Sequence, residues 1–338
     1  MLTDLFQRIQ VNLAAKRQNV TQFLETASEE KLELCCEDEH AIQSHLEVID
    51  TALEEIENNT FGMCAVCHGH VDQSLLEMDY TVSVCLDHFS EQERRRLEEE
   101  LELSAVVQRA LLPQVPPEIP GVELAAFSRP AAIVGGDYFD FFQYRDGTYG
   151  LVIADITGHG FSAGMLMSSL QTAIRTMAPE TDAPSEILER LNRFYLHNIN
   201  FTTFVTMFLA RFDPLTHMLT YVSAGHNPPA IVHQGSGEST WLMPTAPAIG
   251  LSETFLPRTE CVTLEVGDIL FLYTDGVTEA VNTTLEQFGS LRLADVLRKN
   301  VALGATDLIQ TVRRGLETFA DGHALEDDTT FIALKIAG

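Results

Sequence analysis

Positive charge is scarce in this chain. It has 21 Lys and Arg against 49 Asp and Glu, a formal net charge of -28 at pH 7. A surface of that sign repels phosphate backbones, which argues against DNA or RNA binding over any broad face. It suits instead a protein that gathers cations or docks on basic partners. Long apolar runs are also missing: none approaches the ~20 residues that a bilayer crossing requires. Nor does any N-terminal stretch join a basic start to an apolar core, so no signal peptide and no membrane partner are expected. Cysteine is sparse. Six residues, three of them in a metal-type spacing, fit a reducing cytoplasm better than a disulfide scaffold. Internal repeats and low-complexity segments are absent. What remains, 45% hydrophobic and 21% charged over 338 residues, describes a globular chain long enough for more than one domain.

The first third reads as helical. Leu5, Ile9, Leu13, Val20 and Leu24 recur at helical intervals, and after a break at Cys35-Cys36-Glu37-Asp38 so do Ile42, Leu46, Ile49, Leu53 and Ile56. The spacing predicts helices over 2–33 and 40–58, either packed as an antiparallel hairpin with its tip near Cys36 or forming part of a larger bundle. Ser90 with Glu93 three residues on forms a capping box. The helix it opens grows more apolar toward Leu112, as if passing from solvent or a dimer seam onto a domain face. Pro113, Pro116, Pro117 and Pro120 end it. The expected organisation is a helical module over 1–89, a linker helix and candidate homodimer coiled coil over 90–113, and a larger domain over 114–338.

Beyond Pro120 the pattern turns to strands, expected at 121–128, 138–144, 148–155, 203–212, 217–223, 229–233, 261–265, 268–274 and 329–336. Helices are expected at 162–177, 184–197, 290–300 and 305–320. Strands in clusters with helices in pairs favour a layered α+β domain over a doubly wound parallel sheet.

Two constellations carry chemistry. The first, Cys64-x2-Cys67-x17-Cys85-x2-His88, has two ligand pairs spaced for one tetrahedral zinc ion in a closed structural site. His68 and His70 are rivals for the fourth place. The segment resembles the DksA/TraR zinc-finger family, from Ala52-Leu53-Glu54-Glu55-Ile56 through Gly62-Met63-Cys64 to Cys85-Leu86-Asp87-His88, with histidine where that family has a fourth cysteine. That family docks on RNA polymerase through an acidic tip motif. Here the motif aligns with Cys36, Glu39 and Ala41 and lacks its first acid, so a sensory or docking role is expected in place of polymerase binding.

The second constellation is acidic: Val134-Gly135-Gly136-Asp137, Asp155-Ile156-Thr157-Gly158-His159-Gly160, Thr274-Asp275-Gly276 and Glu326-Asp327-Asp328-Thr329-Thr330. Each ends or begins a strand-like run with an aspartate. Carboxylates converging on one spot are costly unless cations neutralise them, which points to hard divalent ions held by oxygen. Such ions suit hydrolysis of a phosphate monoester. Two of them roughly 3.5–4 Å apart generate a nucleophile and neutralise developing charge.

In order and type these motifs resemble the metal-dependent serine/threonine phosphatases, in particular the bacterial branch typified by stage II sporulation protein E. Gln108-Arg109-Ala110-Leu111-Leu112-Pro113, Arg129-Pro130, Ala224-Gly225-His226-Asn227-Pro228-Pro229 and Thr274-Asp275-Gly276-Val277-Thr278-Glu279 extend the resemblance over roughly 105–336. It implies a β-sandwich flanked by helices and two catalytic Mn²⁺ or Mg²⁺ ions. Asp155 would bridge both ions, with the Ile156 carbonyl as a further ligand. Asp137 and Asp275 would bind from opposite sides, Asp327 would complete the site, and Asp328 would support it. His159 and His226 are read as loop-ordering, Asp140 as a metal or structural carboxylate, and Arg129 as a weak candidate for gripping phosphate. The implied substrate is a phosphoserine or phosphothreonine regulatory protein of the STAS-domain, anti-anti-sigma type. The competing reading is a non-catalytic, transcription-associated module on RNA polymerase.

Overall fold

The computed structural model describes residues 9–10, 13–14, 17, 39–72, 76, 82–88, 90–157, 160–181, 183–198, 204–323 and 327–337. It divides into two compact units, Met1–Glu99 with Asn200–Thr202 and Glu100–Ile199 with Thr203–Gly338.

In the first unit, helix α1 (Glu39–Glu57) matches the expected 40–58. It buries Ile49 and Ala52 against Leu13, Phe61, Cys64, Val71, Leu76 and Cys85. Ile9, Gln10, Leu13, Ala14 and Arg17 are helical, and Arg17 pairs with Asp50. An apolar and a charged contact thus join Leu13 and Arg17 to α1. The rest of the expected first helix, and its tip near Cys36, lie outside the described residues. Asn59 and Gly62 adopt positive φ, which turns the chain out of α1. Helix α2 spans Glu91–Leu111, against the expected 90–112.

The second unit is built on ten strands: β1 (Val122–Arg129), β2 (Tyr138–Gln143), β3 (Tyr149–Ile156), β4 (Val205–Asp213), β5 (Met218–Ala224), β6 (Ala230–Val232), β7 (Ser239–Trp241), β8 (Glu260–Thr263), β9 (Ile269–Tyr273) and β10 (Thr329–Ile336). They form two antiparallel sheets, ordered β1-β10-β9-β6-β7 and β2-β3-β4-β5-β8. Helices α3 (Phe161–Met177) and α4 (Pro184–Asn198) follow β3. Helices α5 (Asp275–Glu279), α6 (Gly289–Lys299) and α7 (Ala305–Ala320) lie between β9 and β10.

Strand alternation explains the layering. On β3, Leu151 and Ile153 join one core while Val152, Ala154 and Ile156 join another. On β10, Ile332, Leu334 and Ile336 face the first of these, and Phe331 and Ala333 face a third. Side chains on successive strand residues point to opposite faces, so each sheet is covered twice. The shared core between the sheets holds Phe139, Phe141, Phe208, Leu270 and Leu272. Helices α3 and α4 cover the outside of one sheet through Met167, Leu170, Ile187 and Leu191. Helices α6 and α7 cover the other through Leu293, Leu297, Leu308 and Val312. Burial on both faces is why these strands read as continuous apolar runs. The expected α+β sandwich flanked by helices is the observed architecture of this unit.

Two elements were not anticipated. β7 (Ser-Thr-Trp) lacks the apolar run that marked β6, which is equally short, and at five residues α5 is too short to repeat a helical pattern.

Candidate metal centre

The acidic motifs meet because of strand register. Tyr138 pairs with Ala154 in the β2–β3 ladder, so one step further Asp137 stands across from Asp155. In the other sheet β10 runs antiparallel to β9, with Phe331 opposite Tyr273. The end of β9 and the start of β10 therefore bring Asp275 near Asp327 and Asp328. Thr274 joins the two sheets at this edge. Its N–H donates to the Thr330 carbonyl (2.9 Å), its hydroxyl accepts from the Thr330 N–H (3.0 Å), and that hydroxyl donates to Asp137 Oδ2 (2.9 Å).

The electrostatics of the cluster are unfavourable by themselves. Burial, then the charges of Asp155 and Asp328, holds the Asp137 carboxyl well above the usual range. Burial, then Asp275, Asp327, Asp328 and Glu279, does the same to Asp155. Asp275 is pushed up to about 6 by burial and by Asp327 and Glu279. In each case the charged form is penalised by lost water and by like charge, the two terms that a bound cation reverses. Asp275, Glu279 and Asp327 each offer a carboxylate oxygen within 4.8 Å of the others. An all-oxygen, all-anionic set of this kind fits a hard divalent ion.

Glu279 is the acid that sequence reasoning missed. It lies four residues after Asp275 on α5, so the two carboxylates share one helix face. That i, i+4 spacing was visible in Thr274-Asp275-Gly276-Val277-Thr278-Glu279. Ile156 closes β3 and is fully buried. Asp328 has a different surrounding from the other acids. Its Oδ1 accepts from the Ala131 N–H (2.7 Å) and its Oδ2 from the Gly136 N–H, so its direct contacts are with the loop that delivers Asp137. Two glycines let the chains approach this closely. A Cβ at Gly135 would lie 2.5 Å from Asp328 Oδ2, and one at Gly276 would lie 2.1 Å from the Asp328 carbonyl oxygen.

Other sequence candidates resolve individually. Asp140 is fully buried and takes two 2.6 Å bonds from Arg175 of α3, with further bonds from the Tyr138 hydroxyl and the Phe141 N–H. That makes it a structural carboxylate. His226 is buried, with Nδ1 2.9 Å from the Thr206 hydroxyl, and burial lowers its pKa to about 3 against an opposing contact with the Tyr273 backbone. It is a neutral ring beside the β4 residue that pairs with Asp155. Arg129 ends β1 opposite Thr329, at the same edge of the sandwich as the acids. Gly158, His159 and Glu326 lie outside the described residues.

In the first unit Cys64, Cys67, Cys85 and His88 come together, each with a ligand atom within 4.8 Å of the others. His68 and His70 are not in that group. The turn carries N–H groups aimed at sulfur: Val66 and Cys85 at Cys64 Sγ, and Gly69 at Cys67 Sγ, each at 3.4 Å.

Two antiparallel sheets packed face to face, helices outside both, and acids gathered at one end define a protein phosphatase domain of the PP2C class. The model of the stage II sporulation protein E (SpoIIE) family matches residues 145–337. The chain is 31% identical to the phosphoserine phosphatase RsbU of Bacillus subtilis over 245 residues, covering 72% of this chain and 71% of that one. The SiaA PP2C domain of Pseudomonas aeruginosa superposes with a TM-score of 0.64 at 22% identity, over 72% of this chain and 98% of that domain. The RsbU and RsbW domains of a Mycobacterium tuberculosis protein superpose with a TM-score of 0.56 at 30% identity, over 65% and 61% of the two chains. This chain belongs to the SpoIIE family.

Proposed function

We propose that this protein is a Mn²⁺- or Mg²⁺-dependent phosphatase that hydrolyses phosphoserine or phosphothreonine on a bacterial regulatory protein. The observation that carries the reading is the convergence of Asp137, Asp155, Asp275, Glu279 and Asp327 from two sheets, with burial and mutual repulsion raising the carboxyl pKa values of Asp137, Asp155 and Asp275. Asp155 and Asp137 would hold ions from one sheet, and Asp275, Glu279 and Asp327 from the other, with the Ile156 carbonyl as a further ligand. Bound ions supply an activated water and neutralise charge on the phosphoryl group. The chain's own groups position and desolvate. Thr274 fixes the orientation of Asp137 and Asp328 fixes its loop. In the reaction a water oxygen bonds to phosphorus, the bond from phosphorus to the seryl oxygen breaks, and that oxygen takes a proton. The relative named as a phosphoserine phosphatase and the neighbour carrying RsbU and RsbW domains support a STAS-type substrate in a partner-switching pathway. Turnover of p-nitrophenyl phosphate that appears with Mn²⁺ and disappears with chelator is expected, as is release of phosphate from a phosphoserine STAS protein. No turnover at saturating Mn²⁺ would sink the reading.

The same reading assigns the first unit a structural zinc ion on Cys64, Cys67, Cys85 and His88, in a regulatory module resembling the DksA/TraR finger. The N–H groups aimed at sulfur support it, since they stabilise thiolates. It also assigns α2 a homodimer seam, supported by the exposure of Leu103, Val106 and Val107 at 64%, 61% and 55%. Native mass spectrometry of the full chain should give a dimer with one zinc per chain, and Cys64→Ser should lose the metal. Zinc-free or strictly monomeric wild-type protein would remove the corresponding part.

A further inference from the structure

We propose that Gln108 is a positioning residue for the metal centre: its side-chain amide, paired with both backbone groups of Gly135, holds the turn that presents Asp137. The inference rests on the metal-centre reading above. Gln108 Nε2 donates to the Gly135 carbonyl at 2.7 Å, and the Gly135 N–H donates to Gln108 Oε1 at 3.1 Å. The side chain thus stands in for a neighbouring strand, satisfying the backbone donor and acceptor of a buried glycine outside the strand ladders. Asp137 follows two residues later.

The turn has a second anchor, at Asp328, which takes the Ala131 and Gly136 N–H groups. That anchor comes from the β10 side, whereas Gln108 approaches from α2, so the loop is fixed from two directions. A cavity of about 320 Å³ borders Gln108, Ile133, Phe139 and Asp137. The amide itself is held against α3. A Cβ at Gly164 would come within 2.8 Å of Gln108 Nε2 and 3.2 Å of Val134 Cβ, so only glycine there leaves room for the amide.

The test is Mn²⁺ binding by the full-length protein, measured by electron paramagnetic resonance of the free ion alongside turnover of p-nitrophenyl phosphate. Gln108→Ala should weaken Mn²⁺ binding about tenfold, in line with the loss of one neutral hydrogen-bond pair, while leaving chelator-treated protein folded. Gln114→Ala should leave Mn²⁺ binding unchanged, because that amide only donates to the Arg109 and Leu112 carbonyls at the C-terminal end of α2. Gly164→Ala should reproduce the loss by displacing the amide, and the double variant should lose no more than either single one. Gln108→Ala that binds Mn²⁺ like wild type, or losses that add in the double variant, would overturn the proposal. Should Gln108→Ala fail to fold, Gly164→Ala decides alone. Wild-type protein that binds Mn²⁺ but hydrolyses no phosphoester would sink the proposed function and leave this inference standing. Wild-type protein that binds none sinks both.

Discussion

Asp155 and Glu279 stand in the same cluster but differ in what surrounds them. Asp155 is at the end of a buried ladder and feels Asp275, Asp327, Asp328 and Glu279 together. Glu279 is exposed at the last position of a five-residue helix. Removing the Asp155 charge should therefore abolish turnover, while Glu279→Gln should raise the Mn²⁺ concentration needed for half-maximal rate by roughly three- to tenfold, with kcat at saturating metal nearly kept. Both proteins should stay folded, because in the metal-free state each substitution relieves repulsion. Equal loss of kcat in the two variants would contradict this division of roles. Asp137, Asp155, Asp275 and Asp327 stood out in the sequence as candidates because each follows or precedes an apolar run, and all but Asp327 sit near glycine. Thr274 and Gln108 were written in the same motifs, but their roles depend on a hydroxyl and an amide reaching other strands and loops, which spacing does not encode.

Between elements, the connection that matters most for the site is that of α3 to β2. Asp140 is fully buried three residues after Asp137, and Arg175 near the C-terminus of α3 reaches it with two nitrogens while also donating to the Phe141 carbonyl at 3.0 Å. A buried carboxylate deprived of its cation keeps its desolvation cost and loses its compensation. Arg175→Met should lower unfolding free energy by about 3 kcal/mol, measured by urea titration. Asp140→Asn combined with Arg175→Met should recover part of the loss, since the buried charge is then gone as well. A single variant as stable as wild type would show that the pair contributes nothing. Neither residue announced this pairing in sequence: they are 35 positions apart and meet only after α3 folds back on the sheet. The strands and long helices were legible because both faces of each sheet are buried and the flanking helices are amphipathic. β7 and α5 were not: β7 lacks the apolar run that marked the equally short β6, and α5 is too short to repeat a helical pattern.

At the scale of the whole chain, a net charge of -28 and a buried acidic cluster make stability depend on pH and, with the proposed metal centre, on divalent ions as well. The folded-state pKa of Asp275 is about 6, from burial and then Asp327 and Glu279, against 3.8 in an unfolded chain, and Asp137 and Asp155 are held well above 3.8 for the same kinds of reason. Between those values the folded protein binds more protons than the unfolded chain, so the metal-free fold loses stability as pH rises through about 4 to 6 and beyond. Carboxylates held low by partners, such as Asp146 beside Thr148 and Asp295 beside Lys299, act with the opposite sign, but only below their ordinary value of 3.8. His226 opposes the trend in the same window, since burial lowers it from 6.5 to about 3 and its contribution is lost as pH falls. That residue is common to metal-free and metal-loaded protein, so the difference between them isolates the acids. On the proposed reading, Mn²⁺ would compete with protons for the same oxygens and bind only the folded state. The gap in melting temperature between Mn²⁺-saturated and chelator-treated protein should therefore be small at pH 5 and widen steadily to pH 7.5. A gap that is constant or narrows over that range would mean that the acids do not share a cation site, and the convergence of strand ends would then need another explanation.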